Sequence, residues 1–569
     1  MKEIYNLSNL NMDKILIYQV LPRLYGNACT QNVPSGTIEQ NGCGKMNDFT
    51  DARLRRIATY GFTHIWYTGL LEHATQTDYT AHGIAADNPM VVKGKAGSPY
   101  AIKDYYDIDP DLASTPSKRM REFQALVNRT HKAGLKMVMD FVPNHVARQY
   151  HSDAAPAGVR DLGADDDQTK AFSPQNNFYY VPGETLHTHF AQGKNFSTPY
   201  EETPAKATGN DRFDAWPQVN DWYETVKLNY GVDYLNGRSE HFDPVPDTWN
   251  KMTDILLFWA AKGIDAFRCD MAEMVPAAFW TYAIKRVKHQ YPEILFIAEV
   301  YNPNAYRAYI ACGFDYLYDK VGLYDTLRAI VCCQASASAI TGAWQSVDGL
   351  QDHMLHFLEN HNEQRIASPQ FAGDARKAMP AAAVSVLMDK SPFMLYAGQE
   401  VGEPAVEAEG FSGQDGRTTI FDYWGVRSLQ ALCARSVEKA LTPEQRSLYE
   451  DYHRLLLLCR DHKAITQGDF YDLQYANYDH SYGYDCDRHY AFLRKGGGET
   501  LLVVANFNPS RVRVGVRIPA HAFEHLKLRS GMYSGYDCLT GEISTLDFMP
   551  DRPAFVEVPG YGVAVVKVY

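Results

Sequence analysis

The chain has 569 residues, 45% hydrophobic and 22% charged, which is enough apolar material for two or three cores rather than one. Its formal net charge of −13 argues against nucleic acid or an anionic membrane as the main partner, and no apolar run approaches the roughly 18 residues of a membrane span. The start, MKEIYNLSNLNMDKILIY, lacks a basic segment followed by an apolar one, so a cytoplasmic location is expected, although a trimmed leader would leave the same start.

From Ile15 onward one design recurs. ATYGFTHIWYTGLLEH reads as a strand with a polar end. STPSKRMREFQALVNRTHKAGLKMVMDFVPNH begins with cap chemistry, runs as a helix to Gly134, and continues as a strand ending at Asp140 to His145. DTWNKMTDILLFWAAKGIDAFRCD repeats this plan with Gly263 as the stop, and PAAFWTYAIKRVKHQYPEILFIAEVY repeats it with Pro292 as the break. HMLHFLENHNEQR and SPFMLYAGQEVGE read as two further strands with polar ends. Roughly eight such units before about residue 440 predict a (β/α)8 TIM barrel, whose chemistry sits at the C-terminal strand ends.

Residues 146–235 break the rhythm. They are rich in Asp, Pro, Asn, Gly and aromatic residues and are too long for an ordinary connection. The expected division is a catalytic barrel over 1–145 and 236–465, an inserted domain over 146–235 after the third strand, and a C-terminal antiparallel β-sandwich over 466–569. LTPEQRSLYEDYHRLLLLCRDHKAI reads as an amphipathic helix. After it, HYAFLRK, TLLVVANFN, RVRVGVRIP and GVAVVKVY read as short strands, with one wet face on the strictly alternating RVRVGVRI. The ten cysteines are scattered without a CxxC pair, so a reducing compartment is expected and neither a zinc ribbon nor a redox motif is suggested.

Chemistry concentrates in GIDAFRCD (263–270). Strand residues two apart share a face, so Arg268 and Asp270 point the same way, out of an otherwise apolar strand. A guanidinium beside a carboxylate favours its ionised form, as a nucleophile requires. A structural ion pair closing a barrel layer is the alternative. Glu299 closes the apolar strand of FIAEV, a setting expected to raise a carboxyl pKa and to suit a general acid. Its structural alternative is a buried Glu paired with Lys103 or Arg365.

DFVPNH (140–145), GIDAFRCD, FIAEV (296–300) and FLENHN (357–362) stand in that order, each at an expected strand end. SPYAIKDYYDIDP (98–110), VKLNYG (226–231) and YAGQEVG (396–402) support them. The set resembles the α-amylase family of retaining glycoside hydrolases and transglycosylases, glycoside hydrolase family 13, along the whole chain. The resemblance implies Asp270 as nucleophile, Glu299 as general acid and base, and a third acidic position at 362. It also implies substrate-binding roles for Tyr100, His145, Arg268 and His361, with Tyr100 stacking under the central sugar, for which a core position is the alternative. It requires no cofactor. Calcium is admitted at Asn144 without being predicted, and an asparagine that only fixes its loop is the other reading.

Two departures stand out. Position 362 is Asn, which keeps the shape of a carboxylate but loses its charge, so transition-state stabilisation should fall. Asn362 is either native to an altered catalyst or an Asp→Asn trap of an active one, and the intact flanking motif favours the trap. After the nucleophile, MAEMV (271–275) places Glu273 and Met274 where endo-amylases often carry a Lys-His pair. Three functions stay open: a glycoside hydrolase of maltooligosaccharides or related α-glucans, an α-glucan transglycosylase, and a silent glycan-binding barrel. A metal or phosphate-cofactor barrel enzyme is a distant fourth, without an HExxH motif or glycine-rich phosphate loop behind it. The expected partner is an oligosaccharide, with no nucleic acid and no membrane; the oligomeric state cannot be read from the sequence.

Overall fold

Eight short parallel strands close into a barrel: β1 (Leu16–Val20), β2 (His64–Tyr67), β3 (Lys136–Phe141), β4 (Ala266–Cys269), β5 (Leu295–Ala298), β6 (Tyr316–Tyr318), β7 (Met354–Phe357) and β8 (Phe393–Tyr396). The computed structural model describes residues 14–191, 198–411 and 413–569. Part of the N-terminal stretch read for a leader therefore lies outside the described residues. Each strand pairs with its sequence neighbours, and β1 meets β8 to close the ring.

Alternation along these strands divides the core. Ile17, Trp66, Val138, Ala266, Ile297, Leu355, Phe357 and Met394 point inward and fill the barrel. Leu16, Tyr67, Met139, Phe267 and Phe296 point outward, into the larger core under the helices. The inward set continues past its apolar members to polar ones at the C-terminal ends: Val138 to Asp140, Ala266 to Arg268, Ile297 to Glu299. Register aligns them, because Arg268 sits opposite Asp140 on β3 and Ile297 on β5.

The helices that cover the barrel follow the stop signals in the sequence. Helix α1 (Arg119–Lys132) ends before Gly134, and α2 (Asp247–Ala260) ends before Gly263. These glycines have φ of +82° and +94°, a left-handed turn that side-chain-bearing residues resist. Helix α3 (Ala277–Gln290) stops ahead of Pro292, which cannot continue it. Helix α4 (Pro443–Asp461) starts from a Thr442 cap completed by Gln445 and buries Leu448, Tyr452, Leu455, Leu456 and Leu458 along one side. Strand β6 has three residues and leads into a π-helical turn at Lys320–Tyr324, too short a signal to pick out of the sequence.

The long segment after β3 is built from short antiparallel pairs. His145–Ala147 pairs with Thr225–Lys227, Tyr180–Val181 with Ala205–Lys206, and Val232–Asp233 with Ser239–Glu240. Its own small core includes Leu186, Phe190, Ala205, Ala215 and Tyr223. The first pair ties both ends of the segment together at the exit of β3, which places it over the barrel mouth.

The C-terminal part is an antiparallel sandwich. Its strands are β9 (Asp469–Asp472), β10 (His489–Gly496), β11 (Glu499–Asn506), β12 (Val512–Arg517), β13 (Gly531–Asp537), β14 (Ile543–Phe548), β15 (Pro553–Val558) and β16 (Gly562–Val568). Six form one sheet in the order β9-β10-β11-β16-β13-β14, and β12 pairs with β15. Leu493, Val504 and Ala564 face β12 and β15 within the sandwich, while Phe492, Val503 and Val565 join the core beside the barrel. Arg513 is exposed between the partly buried Val512 and buried Val514, as the alternation in RVRVGVRI requires. Among the described residues no helix is long and apolar enough to cross a membrane.

Candidate active site

Arg268 is the centre of the barrel mouth. It is 1% exposed, and its Nη1 donates to Asp270 Oδ1 at 2.7 Å and lies 3.4 Å from Asp140 Oδ1. Its Nη2 pairs with Glu299 Oε2 at 2.8 Å, off the hydrogen-bond direction. Its Nε donates to the Tyr318 hydroxyl at 3.1 Å, and the rings of Trp66, Tyr100 and Tyr318 lie within 5.1–5.6 Å of the guanidinium carbon. One cation thus serves three buried carboxylates, and aromatic faces around it keep water out.

Burial, followed by the charge of Glu299, pushes the Asp270 carboxyl up, while Arg268 pulls it down. Burial likewise raises Asp140 to about 6 against Arg268 and the Trp66 indole, whose Nε1 donates to Asp140 Oδ2 at 2.9 Å.

Glu299 does not occupy the apolar seat that its strand composition leads one to expect. Its Oε2 accepts the Met271 N–H at 2.8 Å and its Oε1 accepts the Tyr301 hydroxyl at 2.6 Å, besides the ion pair with Arg268. The donors come from the turn after β4 and the exit of β5, beyond the apolar residues that set the expectation. Met271 holds the left-handed φ of 43°, a strained turn at the end of β4. Lys103 and Arg365, the partners of the structural alternative, pair elsewhere, with Asp87 at 3.2 Å and Glu359 at 2.8 Å.

The two histidines border this cluster with different partners. The Asn144 amide donates to His145 Nδ1 at 3.2 Å, so the ring proton sits on Nε2, which can donate to a sugar hydroxyl. Burial, with Lys227 and Lys93 nearby, drives His145 down to about 3 and keeps it neutral. Both nitrogens of His361 are engaged: Nδ1 with the Gln19 amide at 2.8 Å and Nε2 with the Tyr100 hydroxyl at 2.6 Å. Burial and Arg268 hold His361 well below its ordinary value. Tyr100 is buried and its ring stacks on His361 at 5.2 Å.

Among the described residues, no hydrogen bond joins the Asn362 side chain to these groups. Asn362 is exposed; its N–H donates to Asn360 Oδ1 at 2.8 Å, and its carbonyl accepts from Arg417 Nε at 2.6 Å. The next residue, Glu363, turns away to the Tyr324 hydroxyl at 3.0 Å.

The residues around Asn144 do not fit a calcium ion. Its Oδ1 accepts from Lys227 Nζ at 2.7 Å, and that ammonium pairs with Asp211 Oδ1 at 2.5 Å. A buried cationic side chain already fills the space between the oxygens that would have to converge on the metal.

Several participants escaped sequence reading. Trp66, Tyr318 and Tyr301 contact Asp140, Arg268 and Glu299, yet a single aromatic in a strand has no signature. Trp222, from the inserted segment, packs on His145 at 5.2 Å between ring centres. Lys227 lies inside VKLNYG, where only the pairing of the insertion's two ends reveals its role.

Comparison with known proteins gives the family and the fold. The sequence profile of the alpha-amylase catalytic domain matches residues 19–423. Neopullulanase 2 of Thermoactinomyces vulgaris is 22% identical over 537 residues, covering 93% of this chain and 73% of that protein. A Bacillus cyclomaltodextrinase is 22% identical over 544 residues, covering 92% and 76%. Among solved structures, a maltogenic alpha-amylase from Thermotoga neapolitana superposes with a TM-score of 0.61 at 18% identity, covering 98% of this chain and 99% of that one. An alpha-amylase from Geobacillus thermoleovorans superposes with a TM-score of 0.63 at 17% identity, covering 98% of each chain. The chain belongs to the α-amylase family.

Proposed function

We propose that this protein cleaves α-glucosidic bonds of maltooligosaccharides or related α-glucans by double displacement with retention. Membership of the family makes it an enzyme of α-glucan hydrolysis or transglycosylation. The observation that carries the finer reading is the bridge made by Arg268 between Asp270 and Glu299, at the ends of adjacent strands. Retention needs two carboxyl groups close together, one ionised to attack and one protonated to assist departure.

In the first step Asp270, with Oδ1 held by Arg268, attacks the anomeric carbon through Oδ2. The glycosidic bond breaks, and the leaving oxygen takes the proton of Glu299. In the second step Glu299 accepts a proton from water or from a sugar hydroxyl, whose oxygen displaces Asp270 from the anomeric carbon. His145 donates to the bound sugar from Nε2, and Trp222 forms part of the wall that the insertion adds to the cleft.

Asn362 lacks the charge that would strengthen its hold on the ring hydroxyls as positive charge develops, so chemistry is slow relative to binding. Lys227 supplies a built-in cation between Asn144 and Asp211, and calcium is not required there.

Reaction with a fluorinated glycosyl fluoride should trap the glycosyl-enzyme, and peptide mass spectrometry should place the sugar on Asp270. A label on any other residue overturns the assignment. The ratio of hydrolysis to transfer products at high oligosaccharide concentration then separates the two outcomes of the second step.

A further inference from the structure

Glu299 is held asymmetrically. Its Oε2 accepts the Met271 N–H at 2.8 Å and faces Arg268 Nη2 at 2.8 Å. The Met271 N–H can only donate and the Arg268 guanidinium carries a permanent positive charge, so a proton on Oε2 would be forced against both. Its Oε1 meets the Tyr301 hydroxyl at 2.6 Å. A phenol both donates and accepts. It can give its O–H to the ionised carboxylate, or turn and accept the O–H of the protonated one.

From this geometry we infer that the working proton of Glu299 resides on Oε1, and that Tyr301 is the positioning residue that sets the pH range over which Glu299 keeps it. The inference rests on the reading of Glu299 as general acid and base. Tyr301 is itself pinned. Glu273 Oε2 accepts the N–H groups of Tyr301 at 3.2 Å and Asn302 at 3.0 Å, fixing the exit of β5 so that the phenol reaches back to Glu299. Glu273 stands where the sequence departs from the endo-amylase pattern, and this is what it does there. Burial and the neighbouring Glu299 push the Tyr301 phenol far up, so it stays un-ionised at any working pH.

The other groups facing Glu299 are Arg268 and Asp270 from the end of β4, Asp140 from β3 and Tyr318 from β6. None of them makes a hydrogen bond to Oε1, which Tyr301 takes. Donation from Tyr301 stabilises the ionised form of Glu299. Its loss should therefore leave the acid protonated to higher pH.

The test is the pH dependence of kcat/KM on a maltooligosaccharide, whose poor leaving group needs the acid. Tyr301→Phe should move the alkaline limb up by about one pH unit, the size expected for one hydrogen bond to a charged group. Glu273→Ala should move the limb the same way by less. Glu273→Gln keeps an acceptor for both N–H groups and should restore the parent profile, an outcome that general destabilisation would not produce. Glu299→Gln is assayed beside these with an activated donor and azide. Azide rescue together with an unmoved limb, or one moved down, in Tyr301→Phe overturns the role of Tyr301 alone. Failure of azide rescue removes the acid/base reading, and this inference with it.

Discussion

Replacing Lys227 by Met asks whether a side chain does the work of a metal ion at the root of the insertion. The Lys227 side chain is 1% exposed, and burial pulls its pKa down against the partial support of Asp211. Three contacts hold its ammonium: Asn144 Oδ1 at 2.7 Å, Asp211 Oδ1 at 2.5 Å, and the face of Tyr234 at 5.2 Å. Methionine fills similar volume but leaves Asn144 and Asp211 without their cation. Breaking one side of a fully buried pair costs roughly 3–5 kcal/mol. The Asp211 carboxylate is 32% exposed and can recover hydration, so the expected loss lies at the low end, about 3 kcal/mol. Urea unfolding followed by tryptophan fluorescence measures it, with and without chelator. The parent should be indifferent to chelator, and Lys227→Met should unfold at lower urea. Because the same segment carries His145 and Trp222, kcat/KM should fall with it. A parent that loses stability on chelation, or a Lys227→Met protein as stable as the parent, refutes the reasoning.

Two further outcomes follow from other residues. His64 is buried and neutral, pushed from 6.5 to about 4 by burial, so the unfolded chain takes up a proton that the fold rejects as pH falls below 6.5. Between pH 6.5 and about 5 the parent should therefore lose roughly 2 kcal/mol that a His64→Leu variant keeps, read as a steeper fall in its urea midpoint; parallel slopes would show that His64 titrates normally in the fold. Asn362→Asp should raise kcat by about 10²-fold or more, with little change in oligosaccharide Kd. An unchanged kcat on every α-glucan tested would instead favour the silent glycan-binding reading.

The barrel was legible because its signals are local and repeated. Gly134, Gly263 and Pro292 mark the same stop in three βα units, and a two-residue period puts Arg268 and Asp270 on one face. The sandwich was legible from four of its strands, while Asp469–Asp472 and Gly531–Asp537 carry too few alternating apolar residues to announce themselves. What escaped reading is the part of the site that depends on distant chain segments meeting. Nothing near Glu299 in sequence shows that Met271 will give its N–H to Oε2. Nothing near Asn144 shows that Lys227, 83 residues on, will occupy its side-chain oxygen. Apolar neighbours in FIAEV described the strand correctly but said little about the carboxyl, which extends past the strand into a ring of donors.

On the proposed mechanism, the residues assigned to the chemistry and the residues beside them that could bind an acceptor have different origins in the chain. Asp140 and Arg268 lie in β3 and β4, Asp270 and Glu299 directly follow β4 and β5, and all four are fixed by barrel register and by one another. The cleft beside Glu273 and Asn302 has a different origin. Asp211 and Tyr234 from the insertion, with Arg238 and Glu240 just after it, close its other side, with Arg238 laid over Tyr234 at 4.8 Å. In the proposed second step, water and a sugar hydroxyl compete for one glycosyl-enzyme, and the charge on Glu299 activates either. A polar wall that binds a sugar there favours transfer by holding its hydroxyl in place, and a wall that releases it admits water. Hydrolysis and transfer can therefore diverge through changes in the insertion while Arg268 and its carboxylates stay as they are.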